Sequence, residues 1–283
     1  MSQASPSFDL VVATVSRSRE LGDFLDSLEA QSYPGVRVIV VDQNDDERVA
    51  EVIAGRRLPV LHRRSVLGLS RARNVGLREV EADLVAFPDD DCIYPPGILG
   101  RVAASFVDDP GLDGLTGRTE DSAGATSASW KHDPALLTED NHWNRANAAS
   151  IFLRSELVGS IGEFDERMGL GSSEPWSSGE ETDYLIRALR AGARIRYDPG
   201  IVIEHDVSAD DARVGYRDGA SVGYLLRKHR YSRRVVARML VRPAGGALLA
   251  VARRDPARAR YYVASVRGRL SGYLFANRSK SSA

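Results

Sequence analysis

The chain has 283 residues, 43% hydrophobic and 27% charged, which is enough apolar content to close a full core and excludes a disordered chain. Its formal net charge of -1 conceals an asymmetry: residues 227–283 hold 15 of the 38 Lys and Arg and one acid, Asp255, leaving 23 basic and 38 acidic residues elsewhere. A single cysteine, Cys92, excludes an internal disulfide framework or a multi-thiolate metal site and points to a reducing, cytoplasmic setting.

Residues 1–7 show no basic start followed by an apolar segment and read as a flexible N-terminus. No apolar stretch is expected to approach bilayer-crossing length. Residues 8–15 (FDLVVATV) then read as a strand buried on both faces, and 19–31 as a helix with Leu21, Phe24, Leu25 and Leu28 on one side. Strand patterns recur at 37–42, 59–62 and 83–87, with helical patterns at 47–54 and 69–80 between them. This βαβα series predicts a parallel sheet with helices on both faces, and such sheets bind ligands just beyond the carboxyl ends of their strands. Those ends are 16–19, 42–46 and 89–91.

Beyond about residue 110 the pattern is mixed, with Gly- and Ser-rich connections at 116–129 and 169–179 and a strand expected within 147–153. A helix is predicted over 179–191, followed by apolar segments at 193–197 and 200–205. From about Gly215 the pattern turns helical and increasingly basic, with breaks expected at Pro243, ahead of Gly245 and Gly246, and near Pro256.

The segment DLVAFPDDD runs an apolar strand straight into Asp89, Asp90 and Asp91. A diphosphate brought to these acids repels them unless a hard cation such as Mg²⁺ or Mn²⁺ lies between. Alternation lets Asp89 and Asp91 point to one ion while Asp90 turns to the sugar or backbone. An acidic helix start looks the same in isolation, but a strand end in a parallel sheet favours the metal reading.

Taken in order, VVATVSR, VVDQNDD, GLSRARN, FPDDDC, GEFDE and GEETD resemble the motifs of nucleotide-sugar glycosyltransferases of family 2, over about residues 8–205. The resemblance implies a GT-A fold, a Rossmann-like α/β architecture with a mostly parallel sheet, spanning 8–222. Its nucleotide half lies at about 8–110, its acceptor half at about 111–222, and a helical basic appendage covers 223–283. It further implies inverting transfer from a nucleoside diphosphate sugar, a UDP- or dTDP-sugar by preference, with Mg²⁺ or Mn²⁺.

Residue by residue, the resemblance puts Thr14 and Ser16 against the nucleoside, Asp42 at the nucleobase, and Arg73, Asn74, Asp89 and Asp90 in the donor pocket. It makes Glu181 the base that deprotonates the acceptor, with Glu180 beside it and Asp183 available to the acceptor. Asp89, Asp91 and His205, the last closing a predicted strand, form the expected metal set. Trp176 and Trp143 are suited to stack on a sugar, and Arg217 to meet the departing diphosphate.

The acceptor class expected is a glycan or lipid-linked sugar of polysaccharide or glycolipid synthesis at the cell envelope. Arginines beside an apolar face in the tail fit an anionic membrane, which would bring a cytoplasmic chain to a peripheral position on its inner face; packing on the acidic body fits equally. Nucleic acid is not an expected partner, since no binding motif accompanies the charge. A sugar-phosphate nucleotidyltransferase requires a Gly-rich, Lys-containing loop after the first strand, which SRSRE does not supply. A non-catalytic nucleotide-sugar-binding relative docking at membranes is opposed by acids at both the metal and base positions.

Overall fold

The computed structural model describes residues 5–126, 129–206 and 211–275. The extreme N-terminus, part of the 116–129 connection, residues 207–210 and the last basic residues lie outside these. Two compact units divide the chain: Met1–Phe164 with Tyr184–Val207, and Asp165–Asp183 with Ser208–Ala283. The helical second unit thus takes in a segment ahead of the last strand and begins earlier than residue 223.

The first unit is a sheet between two helical layers. Strands β1 (Phe8–Thr14), β2 (Val36–Asp42), β3 (Val60–Arg64) and β4 (Leu84–Ala86) alternate with helices α1 (Ser18–Glu29), α2 (Arg48–Ile53) and α3 (Leu69–Leu77). Then come β5 (Cys92–Ile93), α4 (Ile98–Asp108), β6 (Gly114–Glu120), β7 (Ala135–Leu136), β8 (Ile151–Arg154) and α5 (Ser155–Ile161), and finally α6 (Glu180–Arg190) and β9 (Ile195–His205). Helix α6 begins in the second unit and continues into the first. The sheet order is β3-β2-β1-β4-β8-β6-β9-β5, with β7 on β9. Strands β3, β2, β1 and β4 are parallel, as the βαβα pattern predicts; β8 runs antiparallel to β4 and β6, and β6 parallel to β9. The two apolar segments expected at 193–205 are one strand, β9.

Alternation along β1 explains the layering. Leu10 and Val12 join Leu21, Phe24 and Leu25 of α1 and Leu99 of α4 on one face. Val11 turns to the other face, with Ala72 of α3 and Leu185 and Ala188 of α6. Gly76 lets α3 settle onto this face, because a Cβ there would stand 2.3 Å from Val11 Cγ1.

The second unit carries α7 (Ala212–Lys228), α8 (Arg233–Ala252) and α9 (Pro256–Phe275). Helices α7 and α9 are parallel and meet backbone to backbone. A Cβ on Gly219 would lie 2.3 Å from the Ser265 carbonyl oxygen, and one on Gly223 2.1 Å from that of Arg269. Gly268 and Gly272 answer from α9. The break expected at Pro243 does not occur: α8 runs through it. Proline has no N–H for the carbonyl four residues back, and the guanidinium of Arg269 donates to that carbonyl, Met239 O, instead. Burial lowers the Arg269 pKa to about 10. Helix α8 has 20 residues and a most apolar window of mean hydropathy 1.5, enough to cross a membrane by length and composition alone, although its longest wholly apolar run is residues 244–252.

Candidate active site

Backbone pairing assembles the acidic turn. Ala13, at the end of β1, bridges in parallel to Asp89, so the triplet starts at the carboxyl edge of the sheet. Two-residue β5 pairs antiparallel with the end of β9, setting Cys92 opposite His205. This pairing brings the imidazole to the acids: Nε2 is 3.3 Å from Asp91 Oδ1 and 3.6 Å from Asp89 Oδ2. The Asp91 carboxylate, working against burial, holds the His205 pKa above its ordinary value. Burial acts to raise the Asp91 carboxyl, but His205 and Arg17 outweigh it and keep it low. Burial wins at Asp90, pushing its carboxyl up to about 6 despite Thr14 and Arg17.

The donor set fits a hard divalent cation. Asp91 Oδ1 is a buried oxygen with no hydrogen bond of proper geometry, and it lies with Asp89 and His205 where two carboxylates and an imidazole converge. The Cys92 sulfur shares a cluster with Asp89 and His205, the ligand atoms all within 4.8 Å of one another. However, burial and the neighbouring aspartates push its thiol well up, and a protonated sulfur is a poor ligand for such an ion.

Arg17, in the loop after β1, donates to Asp90 at 3.0 Å and also to Asp91. It is about half exposed, so one face of the guanidinium holds the acids while the other meets solvent. Buried Arg73 donates to Asp89 Oδ1 at 3.2 Å and lies over the Phe164 ring, fixing the carboxylate from below. Asn74, expected to face the donor, is instead buried and pairs with the Phe164 backbone in both directions, donating at 3.1 Å and accepting at 2.7 Å.

A second cluster forms one strand over. Thr14 lies in register with Asp42, and both are buried. Asp42 Oδ1 accepts from the backbone and side-chain nitrogens of Asn44, both at 2.8 Å, while Oδ2 lies 3.1 Å from His62 Nε2 and 3.4 Å from Arg64 Nε. Ser16 is exposed with φ 63°, a left-handed conformation costly for a residue with a Cβ. Its N–H donates to Asn44 Oδ1 at 2.8 Å, which ties the β1 loop to the β2 loop.

In the second unit, Glu180 is buried and Glu181 half-buried in the first turn of α6. Asp183, expected at an acceptor, is instead fully buried and taken up by Lys228 Nζ and His229 Nε2, each at 2.7 Å. Trp176, expected to stack on a sugar, is 3% exposed and stacks on Tyr224 at 4.5 Å with 5° between the rings. Arg217 pairs with Asp218 at 3.0 Å. In the first unit, half-buried Trp143 lies beside the His142 ring.

The family model described as glycosyl transferase family 2 matches residues 9–157, more than half of the chain. The chain belongs to glycosyl transferase family 2. Among curated relatives, it is 31% identical over 190 residues to the pre-mycofactocin glycosyltransferase of Mycobacterium tuberculosis, an alignment covering 62% of this chain and 38% of that protein. The chain thus aligns with well under half the length of that relative. The mannosyltransferase PcManGT of Pyrobaculum calidifontis, solved with GDP-Man and Mn²⁺, superposes with a TM-score of 0.64 at 15% identity, covering 94% of this chain and 87% of that one. TarS of S. aureus residues 1–349, solved with UDP-GlcNAc, superposes with a TM-score of 0.60 at 18% identity, covering 92% and 91%. These likenesses show that this family 2 chain has the GT-A fold.

Arg17, Asn44, His62 and Arg64 complete the two clusters and were not singled out from the sequence. The signal available was position: each stands at or just past the carboxyl end of a predicted parallel strand, where polar residues are brought to one edge.

Proposed function

We propose that the chain is an inverting glycosyltransferase that moves a sugar from a nucleoside diphosphate sugar to a hydroxyl of a glycan or lipid-linked acceptor. The observation that carries this reading is the convergence of Asp89, Asp91 and His205 at the strand ends of a family 2 chain. That TarS was solved with UDP-GlcNAc and PcManGT with GDP-Man and Mn²⁺ supports a nucleotide-sugar donor and a divalent cation. A UDP-sugar is the first choice of donor, a dTDP-sugar the second, and Mn²⁺ or Mg²⁺ the ion.

When bound, the cation neutralises the diphosphate and stabilises it as leaving group. Asp89, Asp91 and His205 are the residues that would hold it. Arg73 keeps Asp89 in place, and Arg17 holds Asp90 and Asp91 while presenting a positive charge at the solvent edge. Asp42, braced by Asn44 and His62, lines the nucleobase corner beside Thr14 and Ser16. Asp90 is left for the transferred sugar, from whose hydroxyls its carboxylate can accept hydrogen bonds. Glu181 takes the proton of the acceptor hydroxyl as that oxygen attacks the anomeric carbon, and Arg217 steadies the departing diphosphate.

Incubation with a panel of sugar nucleotides and Mn²⁺, scored for nucleoside diphosphate release, tests the reading. UDP release from a UDP-sugar is expected, abolished by chelation, and Asp91→Asn should weaken calorimetric UDP binding in Mn²⁺ at least tenfold. Glu181→Gln should leave UDP affinity intact while transfer falls about 100-fold or more. Binding indifferent to both chelation and Asp91→Asn removes the cation, and undiminished transfer by Glu181→Gln removes the base.

A further inference from the structure

We infer that α8 is a docking face for an anionic lipid surface, lying along one leaflet with its exposed apolar side toward the hydrocarbon. The inference goes beyond the donor site and is independent of it. One side of α8 is committed inside the second unit: Val236, Met239, Pro243 and Ala250 are buried, and Gly246 lies against the Tyr262 ring of α9, where a Cβ would stand 2.9 Å away. On the other side the apolar residues stand open. Val241, Leu248, Leu249 and Val251 are 51–74% exposed, and only 17% of the helix's most apolar window is buried. A core helix of the same composition would be mostly covered. Val263, Leu270 and Leu274 form a further exposed apolar stripe on α9, interleaved with Arg260 and Arg267.

The order of residues along α8 selects the occupant. Its first half carries Arg233, Arg234, Arg238 and Arg242; residues 244–252 (AGGALLAVA) are wholly apolar; Arg253 and Arg254 follow at once. Nine helical residues reach about 14 Å, less than half of the roughly 30 Å hydrocarbon core. The apolar segment is therefore too short to cross and suits a helix lying along one leaflet, where the arginines at both ends extend their stems over it and leave their guanidinium groups at the headgroups. A complete crossing would draw Arg238 and Arg242 into hydrocarbon, a costly position.

Charge decides between lipid and protein. Residues 227–283 bring 15 basic residues against one acid, and that acid, Asp255, accepts the Arg258 N–H at the start of α9. Two copies meeting through this face would press their arginines together, whereas an anionic bilayer takes up both the charge and the aliphatic side chains. Nucleic acid phosphates would satisfy the arginines but leave Leu248 and Val251 in water.

Sedimentation of the full chain with vesicles tests the inference without any sugar present. Binding is expected to phosphatidylcholine vesicles containing phosphatidylglycerol, weak binding to phosphatidylcholine alone, and release at high salt. Leu248→Asp with Val251→Asp should lower binding more than tenfold; both side chains are exposed, so circular dichroism and the thermal midpoint should hold. Arg234→Gln with Arg242→Gln, which keeps the apolar face, should lower binding roughly fivefold for each charge removed. In Leu248→Trp, indole fluorescence should shift to the blue on adding anionic vesicles.

Three results overturn the proposal. One is the absence of binding to either vesicle. Another is unchanged binding by both double variants. The third is dimerisation, seen by light scattering and abolished by the aspartate pair, in a chain that ignores lipid.

Discussion

Lys228 holds two carboxylates at once, Asp165 and Asp183, each at 2.7 Å. Asp183 is fully buried and also meets His229, so losing the lysine leaves a negative charge in the interior of the second unit with less compensation. Lys228→Met is therefore expected to cost about 3 kcal/mol, read as a lower thermal midpoint and a loss of far-UV signal confined to the helical unit. The same network sets a pH dependence. Burial acts to raise the Asp165 carboxyl, but Arg167 and Lys228 hold it far below its ordinary value of 3.8. A carboxyl whose folded pKa is depressed contributes stability above its unfolded value and loses that contribution as the pH falls through the window beneath it. Acid titration below pH 3.8 should thus destabilise the wild-type unit more steeply than Lys228→Met, and parallel curves would remove Asp165 as the cause.

At the scale of elements, the α7–α9 seam is the least forgiving contact in the second unit. Gly219→Ala would place a methyl group 2.3 Å from the Ser265 carbonyl, and backbone cannot step aside as a side chain can. A loss of about 1–3 kcal/mol is expected, measured by denaturant unfolding, while Gly245→Ala, which meets nothing within 4 Å, serves as the control. This packing was not legible in the sequence, because glycines four apart read equally as breakers. Nor was the passage of α8 through Pro243, which depends on a guanidinium 26 residues away in the chain.

Strands β1, β2 and β4 were legible, because strands covered on both faces write their burial as near-continuous apolar runs; β3, only partly buried, offered just the short apolar start Val60 and Leu61. For the same reason Asp42, Asp89 and Asp91 stood out at the strand ends. Asp183, Asn74 and Trp176 are buried among protein partners, which the letters did not foretell: a polar or aromatic side chain taken up by the interior has the same letter as one facing a ligand.

At the scale of the molecule, the chain leaves the first unit after Phe164, returns at Tyr184, and leaves again after β9. Strand β9 pairs with β5, β6 and β7 and supplies Ile195, Tyr197, Ile201 and Ile203, each no more than 1% exposed. A fragment of residues 1–164 contains every residue of the family match yet lacks this strand and His205. It should show no cooperative thermal transition and no near-UV circular dichroism, and a sharp transition would mean that the sheet closes without β9.

The parallel arrangement of α7 and α9 also orders events in time. Helix α7 is complete at Lys228, but the carbonyls that fill its glycine stripe belong to residues from Tyr261 onward. At a typical ~5–20 residues per second, the ribosome takes several seconds to deliver them. Until they emerge, α8, with Val241, Leu248, Leu249 and Val251 exposed on one side, has neither α9 nor Arg269 to hold it. The nascent chain is thus open to wrong association from the emergence of α8 until that of α9.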